Sequence, residues 1–182
     1  GAWHHTKDND AIVEHKETII KLFQPKQVYR DKVVKLFDLH RLEFDLMVGI
    51  HIRRGDYANY RGGAYFFDNE TYKKYMASIQ AMHPNKKICF YLSSNEVIND
   101  SEFSEFNITF IAGSVMIEDL YALSQCDYIL GPPSTYSMWA SFVGGVPLRI
   151  IDTGNDIIDE SQFSRIIYQN VFENGECFSH KF

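Results

Sequence analysis

Two arginines and an aspartate stand together directly after an apolar segment of the chain. The apolar residues 46–50 lead into His51, and Arg53, Arg54 and Asp56 follow closely. A guanidinium group donates paired hydrogen bonds to the oxygens of phosphates and carboxylates. The sequence therefore predicts a local anion site at Arg53 and Arg54, with phosphate as the foremost ligand.

A second cluster, Ser134-Thr135-Tyr136-Ser137, follows a pair of prolines later in the chain. Ser134 is a good helix N-cap, and no carboxylate stands in the first turn after it. A capping box would place Glu or Gln at position 137, where Ser137 stands instead, so the backbone N–H groups of this turn are left for an outside anion. An ordinary serine-capped helix has the same pattern, but Arg53 at a neighbouring strand end favours phosphate.

The elements that position these clusters are predicted from hydrophobic patterning. The apolar stretch that begins at residue 46 is typical of a buried strand in a parallel sheet. Further strands are predicted over residues 87–92, 107–112, 127–131 and 146–151. Helices are predicted over residues 11–23 (capped by Asp10), 27–38, 70–82 (capped by Asp68 or Asn69), 116–125, 134–143 and around 160–168. This alternation predicts an α/β fold with a Rossmann-like doubly wound parallel sheet, in which ligands bind beyond the carboxyl ends of the strands.

The composition limits the class of function. The chain has 182 residues, is 45% hydrophobic and carries a formal net charge of −6. It is long enough for one compact domain, and its acidity argues against a general nucleic-acid or membrane-surface binder. No apolar run approaches the ~18 residues of a transmembrane helix, and the N-terminus lacks the apolar core of a signal peptide.

The cysteines and histidines give no sign of a metal or disulfide framework. Cys89, Cys126 and Cys177 are odd in number and far apart, so we interpret them as reduced thiols. We expect a cytoplasmic protein, with peripheral attachment to the inner membrane left open. Adjacent His4 and His5 lack further ligands at metal spacing and are interpreted as surface residues, so no metal site is predicted.

Three further segments carry polar or aromatic side chains near strand ends. Asp119 suits the dipole of the helix over residues 116–125, but a carboxylate there can also accept hydrogen bonds from the amino and imino groups of a purine. Residues 93–96, Ser-Ser-Asn-Glu, either contact a ligand or cap the next turn, which is favoured. The glycine-flanked aromatics of residues 57–67 form either a lid with a stacking surface or a hydrophobic loop folded onto the sheet edge.

Three familiar motifs do not explain the arginines. The chain has neither a Gly-Lys-Thr/Ser phosphate loop nor a G-x-G-x-x-G turn, so it is not a P-loop enzyme or a typical NAD binder. Arg54-Gly55-Asp56 matches a cell-adhesion signal, but that signal needs an exposed loop tip. Its direct attachment to a buried strand disfavours this interpretation.

The two clusters together resemble a known family. His51-Ile-Arg-Arg-Gly-Asp56, after an apolar strand, resembles the first motif of the α1,2- and α1,6-fucosyltransferase superfamily. Residues 126–141, Cys-Asp-Tyr-Ile-Leu-Gly-Pro-Pro-Ser-Thr-Tyr-Ser-Met-Trp-Ala-Ser, are similar to its downstream serine-rich motif. The motifs occur in the expected order and spacing, and the best match is the bacterial branch of the α1,2-fucosyltransferase-like family.

The resemblance implies a GT-B enzyme with two Rossmann-like domains. This chain would be the C-terminal, donor-binding half, with a helical lead-in over residues 1–45, a GDP-sugar-binding domain over residues 46–182, and an N-terminal acceptor domain missing from it. The implied reaction is inverting transfer of fucose from GDP-fucose to a glycan acceptor, without a metal or other cofactor, in bacterial polysaccharide synthesis. Whether this part alone is active is left open.

The resemblance also implies roles for individual residues. Arg53 would hold the β-phosphate of GDP, Arg54 and Asp56 would support the loop and the pocket, and His51 would lie close to the nucleotide. The implied catalytic residues are Arg53 and Asp56. The implied nucleotide-binding residues are His51, Arg53, Arg54, Asp119, Ser134, Thr135, Tyr136 and Ser137.

The base that deprotonates the acceptor hydroxyl is not evident from the sequence. Arg61-Gly62-Gly63 stands where related α1,6 enzymes carry a glutamate, which leaves Asp56, Asp68 and Glu70 as candidates. Two other functions stay open: a transferase that uses another nucleotide sugar, and a noncatalytic module that binds a nucleotide or a glycan.

Overall fold

The fold is built from a parallel sheet with helices on both faces. The computed structural model describes residues 9–151, 157–168 and 170–177. Its α-helices are α1 (Asn9–Glu14), α2 (Lys16–Leu22), α3 (Gln27–His40), α4 (Asn69–Met82), α5 (Met116–Leu123) and α6 (Thr135–Gly144). Its strands are β1 (Leu46–Ile52), β2 (Ile88–Ser94), β3 (Ile108–Thr109), β4 (Tyr128–Gly131), β5 (Leu148–Ile150), β6 (Ile166–Tyr168) and β7 (Val171–Phe172).

The first five strands form one sheet in the order β3-β2-β1-β4-β5, and every neighbouring pair is parallel. The order reverses between β1 and β4, and ligands of such sheets bind outside the carboxyl ends of the strands at this point. The predicted α/β, doubly wound parallel sheet is therefore confirmed. The strands β6 and β7 form a separate antiparallel pair.

The central strand β1 is apolar except for His51 because both of its faces are covered. Met47 packs with Val33 and Phe37 of α3 in one core cluster, whereas Val48 and Ile50 belong to a second cluster that includes the buried face of α4. Burying one such side chain stabilises the fold by about 1.5–3 kcal/mol. The helix α3 thus covers the sheet, and the division at residue 45 stays a prediction.

The strand pattern predicted from the sequence is present in full, although β3 has only two residues where six were expected. The helices predicted over residues 27–38 and 70–82 correspond to α3 and α4. The Asp68 carboxylate accepts a hydrogen bond from the Thr71 backbone N–H at 2.8 Å, which confirms the predicted N-cap of α4.

The first predicted helix is wrong in its extent. Residues 11–23 were expected to form one helix capped by Asp10, but α1 and α2 are separated at His15, and Asp10 lies inside α1. Ile12 before the break and Ile19 after it both pack against the core cluster that contains Met47. The break therefore allows both short helices to place an apolar side chain on the same core.

The helix predicted around residues 160–168 is also wrong. Residues 160–162 form a short 3-10 turn, and β6 follows. Leu148 and Ser164 exchange backbone hydrogen bonds of 2.9 and 3.2 Å, which draws this segment against the edge of β5. Tertiary pairing and the β-favouring Ile-Ile-Tyr sequence of β6 outweigh the helical pattern.

Three sequence-based predictions concern particular side chains and the membrane. Cys89 and Cys126 are buried, Cys177 is exposed, and all three are free thiols. His4 and His5 lie outside the described residues. Within the described ranges, no helix has both the length and the apolar character needed to cross a membrane.

Candidate functional site

The chain turns sharply after β1, and the loop after β2 fixes that turn. Gly55 has a φ of 61°, in the left-handed region that glycine adopts readily. The side-chain oxygen of Asn95 accepts a hydrogen bond from the Arg54 backbone N–H at 2.8 Å, and Glu96 accepts one from the Gly55 N–H at 3.1 Å. The position of the arginine-bearing turn is thus set by β2 as well as by β1.

A cavity of about 300 Å³ opens at this carboxyl edge of the sheet. Four of the residues that line it are candidates from the sequence: His51, Arg53, Asp119 and Tyr136. The other lining residues are Ser93, Ser94, Asn95, Ser114 and Met116. Because β1 and β4 are adjacent and parallel, residues that follow both strands reach the same space.

Arg53 supplies positive charge to the cavity. Its guanidinium lies 2.8 Å from the Asp56 carboxylate and 5.4 Å from the centre of the Tyr57 ring. The Tyr57 hydroxyl donates a hydrogen bond to the carbonyl of Pro133, directly before Ser134, the N-cap of α6. The structure therefore brings the arginine-bearing turn and the serine-headed helix together on one edge of the sheet.

Arg54 faces away from the cavity. Successive residues of an extended chain point to opposite sides, and the Arg54 guanidinium donates a hydrogen bond to the Asn69 side chain. It also lies 6.0 Å from the centre of the Phe66 ring. These contacts fit support of the loop, and direct nucleotide binding by Arg54 stays a prediction.

His51 is a buried, neutral side chain in the wall of the cavity. It is only 4% exposed, and its ring centre lies 5.1 Å from that of Tyr136. A Cβ at Gly131 of β4 would lie 2.8 Å from the His51 Cβ, so the two strands approach this closely only because residue 131 is glycine. Burial, together with the charge of Arg53, lowers the pKa of His51 to about 3. Its Nδ1 atom has no hydrogen-bond partner among the described residues and is suited to bonding a ligand.

Two roles were considered for a carboxylate at the start of α5: stabilising the helix and accepting hydrogen bonds from a ligand. Glu118 accepts a hydrogen bond from the Val115 N–H at 3.1 Å and pairs with Lys32 of α3 at 2.6 Å, so it stabilises the helix start. Asp119 instead lines the cavity and accepts a hydrogen bond from the Tyr91 hydroxyl at 2.7 Å. Burial raises the pKa of Asp119.

The start of α6 reaches the cavity through Tyr136. The Ser134 hydroxyl accepts a hydrogen bond from the Tyr136 N–H at 3.2 Å, which confirms the predicted N-cap, and the first turn holds no acidic residue. Ser137 is fully buried, and its hydroxyl donates to the Ser134 carbonyl at 3.2 Å. Thr135 is exposed. Of these four residues only Tyr136 lines the cavity, and ligand contacts of the other three stay predictions.

Sequence reasoning favoured the wrong emphasis for one part of the cavity wall and missed another. Residues 93–96 were expected either to contact a ligand or, as the favoured role, to cap the next turn. Ser94 Oγ does accept a hydrogen bond from the Glu96 N–H at 3.1 Å, and residues 93–95 also line the cavity. The signal for this was available, because polar residues at the end of a strand beside β1 reach the same sheet edge. Ser114 and Met116 belong to no motif and reach the cavity only through the path of the chain between β3 and α5.

A comparison with known protein families identifies the family of the chain that carries this site. Residues 27–170 match the family described as glycosyl transferase family 11. The chain belongs to glycosyl transferase family 11. The match includes the clusters around Arg53 and Ser134, and it confirms the predicted resemblance to the fucosyltransferase-like family.

The family 11 chain has a curated bacterial relative. It is 26% identical over 161 residues to alpha-1,2-colitosyltransferase of Escherichia coli. The matched region covers 82% of this chain and 52% of the relative. The chain therefore spans about half the length of the curated relative it matches.

Solved transferase structures share the fold of the family 11 chain. NodZ alpha-1,6-fucosyltransferase soaked with GDP-fucose matches with a TM-score of 0.53 at 18% identity, over 74% of this chain and 49% of that one. NodZ from Bradyrhizobium gives 0.52 at 14% identity, over 81% and 64%, respectively. POFUT1 in complex with GDP-fucose gives 0.51 at 10% identity, over 64% and 42%. At these identities the likeness establishes the fold, and it confirms the predicted Rossmann-like class.

Two of the three candidate bases in the family 11 chain are engaged elsewhere. Asp68 caps α4, and the hydrogen bonds from Thr71 hold the pKa of Asp68 below its ordinary value. Glu70 pairs with Lys73 at 2.5 Å. Asp56 is the candidate that directly contacts a residue of the cavity wall, through its pairing with Arg53.

In the Arg54-Gly55-Asp56 triplet of the family 11 chain, the two charged side chains contact different partners. The Asp56 side chain is 62% exposed, so burial does not exclude an adhesion role. However, Arg54 is bonded to Asn69 and Asp56 is paired with Arg53, so the two side chains are not presented together.

The described part of the family 11 chain holds no group of three or more His, Cys, Asp or Glu side chains arranged to hold a metal ion.

Proposed function

We propose that this chain is the donor-binding half of a glycosyltransferase that moves fucose from GDP-fucose to a hydroxyl of a glycan, with inversion at C1. The observation that carries the proposal is the shared cavity at the β1–β4 reversal, lined by His51, Arg53, Asp119 and Tyr136. A nucleoside diphosphate needs a cation for its phosphates and polar groups for its base. This one cavity offers both.

The diphosphate is assigned to Arg53 and the start of α6. The Arg53 guanidinium is partly buried, so water screens its charge less than that of a surface arginine. The first turn of α6 has no carboxylate of its own, and its backbone N–H groups and dipole favour an anion. The bond from Tyr57 to Pro133 supports this assignment by tying the two pieces together.

The guanine ring of GDP is assigned to the part of the cavity around Asp119. Guanine carries two adjacent donors, its ring N–H and its amino group, which one carboxylate can accept as a pair. Adenine and uracil lack this donor pair. A buried carboxylate in the cavity wall, with the unpaired Nδ1 of His51 in the same wall, therefore supports GDP over ADP and UDP.

In the proposed reaction, the protein stabilises the negative charge that develops on GDP as the sugar leaves. Negative charge grows on the β-phosphate when the bond to C1 breaks, and preorganised donors stabilise it more in the transition state than in the ground state. Losing one such donor typically costs about 3–4 kcal/mol in activation free energy. Arg53 is the proposed donor, so the positive charge for this step comes from the protein.

Asp56 is proposed as the base that takes the proton from the acceptor hydroxyl. It is exposed beside Arg53, so a glycan can reach it. A diphosphate bound to Arg53 would compete with Asp56 for the guanidinium and leave its carboxylate free to accept the proton. The acceptor glycan and an acceptor-side domain in a longer protein are part of the proposal.

The comparison with the curated relative supports GDP-colitose as an alternative donor to GDP-fucose. The curated relative is a colitosyltransferase, and colitose differs from fucose by the absence of one hydroxyl group. The cavity features that support GDP would serve both donors equally. Competition between GDP-fucose and GDP-colitose for this chain, measured by calorimetry, separates them: tighter binding of GDP-colitose would replace fucose in the proposal.

The nucleotide assignment is tested by thermal shift with GDP, UDP and ADP at equal concentration. We expect GDP to raise Tm the most, and Asp119→Asn to remove that preference. Asp38→Asn, an exposed carboxylate on α3 with the same change of charge, should keep it. Equal stabilisation by UDP would contradict the guanine assignment, and no stabilisation by any nucleotide would contradict the donor site.

Catalysis needs a separate test. A transfer assay with GDP-fucose and the full-length protein distinguishes an enzyme from a noncatalytic binding module. Release of GDP that depends on added acceptor supports the enzyme. Binding of GDP-fucose without turnover would favour the module.

A further inference from the structure

A buried tyrosine of β2 contacts the carboxylate to which guanine is assigned. Tyr91 is fully buried, and its hydroxyl donates the 2.7 Å hydrogen bond to Asp119 Oδ1. Asp119 is 8% exposed and forms part of the wall of the cavity that contains Arg53. The bond therefore joins the hydrophobic core to a side chain that a ligand in the cavity can reach.

The position of the Tyr91 hydroxyl is fixed by packing. The ring belongs to the core cluster that contains Met47, and its centre lies 5.7 Å from that of Phe37. Tyr91 is also paired with Gly49 of the central strand β1. A phenylalanine would fill nearly the same volume, so the hydroxyl is not needed for packing, and a buried hydroxyl requires a hydrogen-bond partner. Asp119 is that partner.

Stabilisation of the helix start does not explain Asp119, because Glu118 already fulfils that role. Among the described residues, no ion pair includes Asp119, and burial raises its pKa. A buried carboxylate without a cation is unfavourable unless hydrogen-bond donors surround it. Tyr91 is one donor, and the hydroxyls of Ser93 and Ser114 in the cavity wall also favour the charged form. A neutral acceptor would satisfy Tyr91 at a lower cost, so the carboxylate indicates a ligand that donates hydrogen bonds.

Guanine requires a particular orientation of this carboxylate. The ring N–H and the amino group lie side by side in the plane of the base, and one carboxylate accepts both only when its own plane is aligned with that of the base. The last torsion of an aspartate side chain is broad, so an unrestrained carboxylate samples many orientations. A hydrogen bond to one oxygen restricts this rotation and leaves lone pairs on both oxygens for a ligand.

We propose that Tyr91 is a positioning residue for nucleotide recognition, whose hydroxyl orients the Asp119 carboxylate to accept both donors of guanine. The inference deepens the proposed function and rests on its assignment of guanine to Asp119. Tyr91 is fully buried and is not part of the cavity wall, so it acts through Asp119. Its effect should therefore appear in the choice between bases, whereas the diphosphate is assigned to Arg53.

Inosine diphosphate (IDP) is the probe that isolates the orientation of Asp119. Its base keeps the ring N–H of guanine and lacks the amino group. Calorimetric titration of GDP and of IDP into the chain gives the GDP preference, which is the ratio of the two affinities. We expect a preference on the order of tenfold in wild type, because IDP loses a hydrogen bond to a charged group. Tyr91→Phe should reduce the preference to about threefold or less, since the carboxylate is then free to rotate.

Two comparisons show whether the effect belongs to Tyr91 and passes through Asp119. Tyr128→Phe is the matched control, because the Tyr128 hydroxyl donates to the Glu160 carboxylate at 2.8 Å and Tyr128 is not part of the cavity wall. This variant loses the same group and the same kind of bond, and it should keep the wild-type preference. Asp119→Asn should abolish the preference, and adding Tyr91→Phe to Asp119→Asn should change it no further.

The outcomes separate this inference from the proposed function. The Tm of each variant is measured without nucleotide, and the titrations are run well below the lowest Tm. A GDP preference that Tyr91→Phe leaves unchanged, even with an equal loss of affinity for both nucleotides, would overturn the role of Tyr91 and retain the donor site. An equal fall in Tyr128→Phe, or an effect of Tyr91→Phe in the Asp119→Asn background, would also overturn it. A wild-type chain that binds neither nucleotide would reject the donor site and the role of Tyr91 with it.

Discussion

At the scale of single residues, the pairing of Arg53 with Asp56 decides how the site responds to an anion. The Arg53 guanidinium lies 2.8 Å from a carboxylate that a bound diphosphate would have to displace. We expect Asp56→Asn to tighten GDP binding several-fold, because this competing charge is removed. Calorimetric titration with GDP measures the change, and the difference should shrink at high salt. A several-fold weakening would instead show that Asp56 holds Arg53 in its binding position.

His51 gives a second prediction at this scale. Burial lowers its pKa from 6.5 to about 3, so below pH 6.5 the unfolded chain binds a proton that the folded chain does not. The free energy of unfolding should therefore fall as the pH drops from 6.5 towards 3, by up to about 1.4 kcal/mol per pH unit. His51→Gln should remove this component.

Urea unfolding at pH 7.5, 6.0 and 5.0 measures the effect of His51 as a difference between variant and wild type. Exposed His15 provides the control, since His15→Gln should keep the wild-type pH dependence. Parallel pH profiles for wild type and His51→Gln would contradict the assignment of a buried, neutral imidazole.

At the scale of elements, the close approach of β1 and β4 forms the floor of the site. A Cβ at Gly131 would lie 2.8 Å from the His51 Cβ and 2.9 Å from the His51 carbonyl oxygen. We expect Gly131→Ala to lower the free energy of unfolding by about 3 kcal/mol and to weaken GDP binding, because the strands must separate. Urea denaturation and GDP titration measure the two effects.

Gly145, at the end of α6, provides the matched control for Gly131. It has open space around it and a φ of 65°, so Gly145→Ala changes only the backbone preference, which costs about 1 kcal/mol. It should leave GDP affinity unchanged. A Gly131→Ala variant with wild-type stability and affinity would contradict the packing of these strands.

The same scale shows what patterning can predict. The apolar run of β1 and the helical spacing of α4 depend on local sequence and on burial, so both were predictable. Residues 163–168 have an ambiguous pattern, and backbone bonds between Leu148 and Ser164 decide their state. Likewise, Arg53 could be identified by residue type and Tyr136 by its place in the motif that resembles the family, whereas Ser114 and Met116 join the site only through the fold.

At the scale of the whole molecule, the strand order explains why two distant clusters share one site. They are separated by about half the chain, yet β1 and β4 are neighbours at the reversal of the sheet. The local sequence around each cluster does not encode this adjacency of β1 and β4. The resemblance to the fucosyltransferase family predicted that both clusters bind the same nucleotide. The cationic group of this acidic chain at Arg53 thus lies where the topology favours a ligand.

The central claim, that Arg53 holds the diphosphate of GDP in this cavity, is tested most directly by calorimetric titration of GDP into wild type and Arg53→Ala. We expect an affinity loss on the order of 100-fold, about 2.7 kcal/mol, with an unchanged Tm in the absence of nucleotide. Lys35→Ala, on the exposed face of α3, removes the same charge and should bind GDP like wild type. Wild-type affinity in Arg53→Ala would contradict the account.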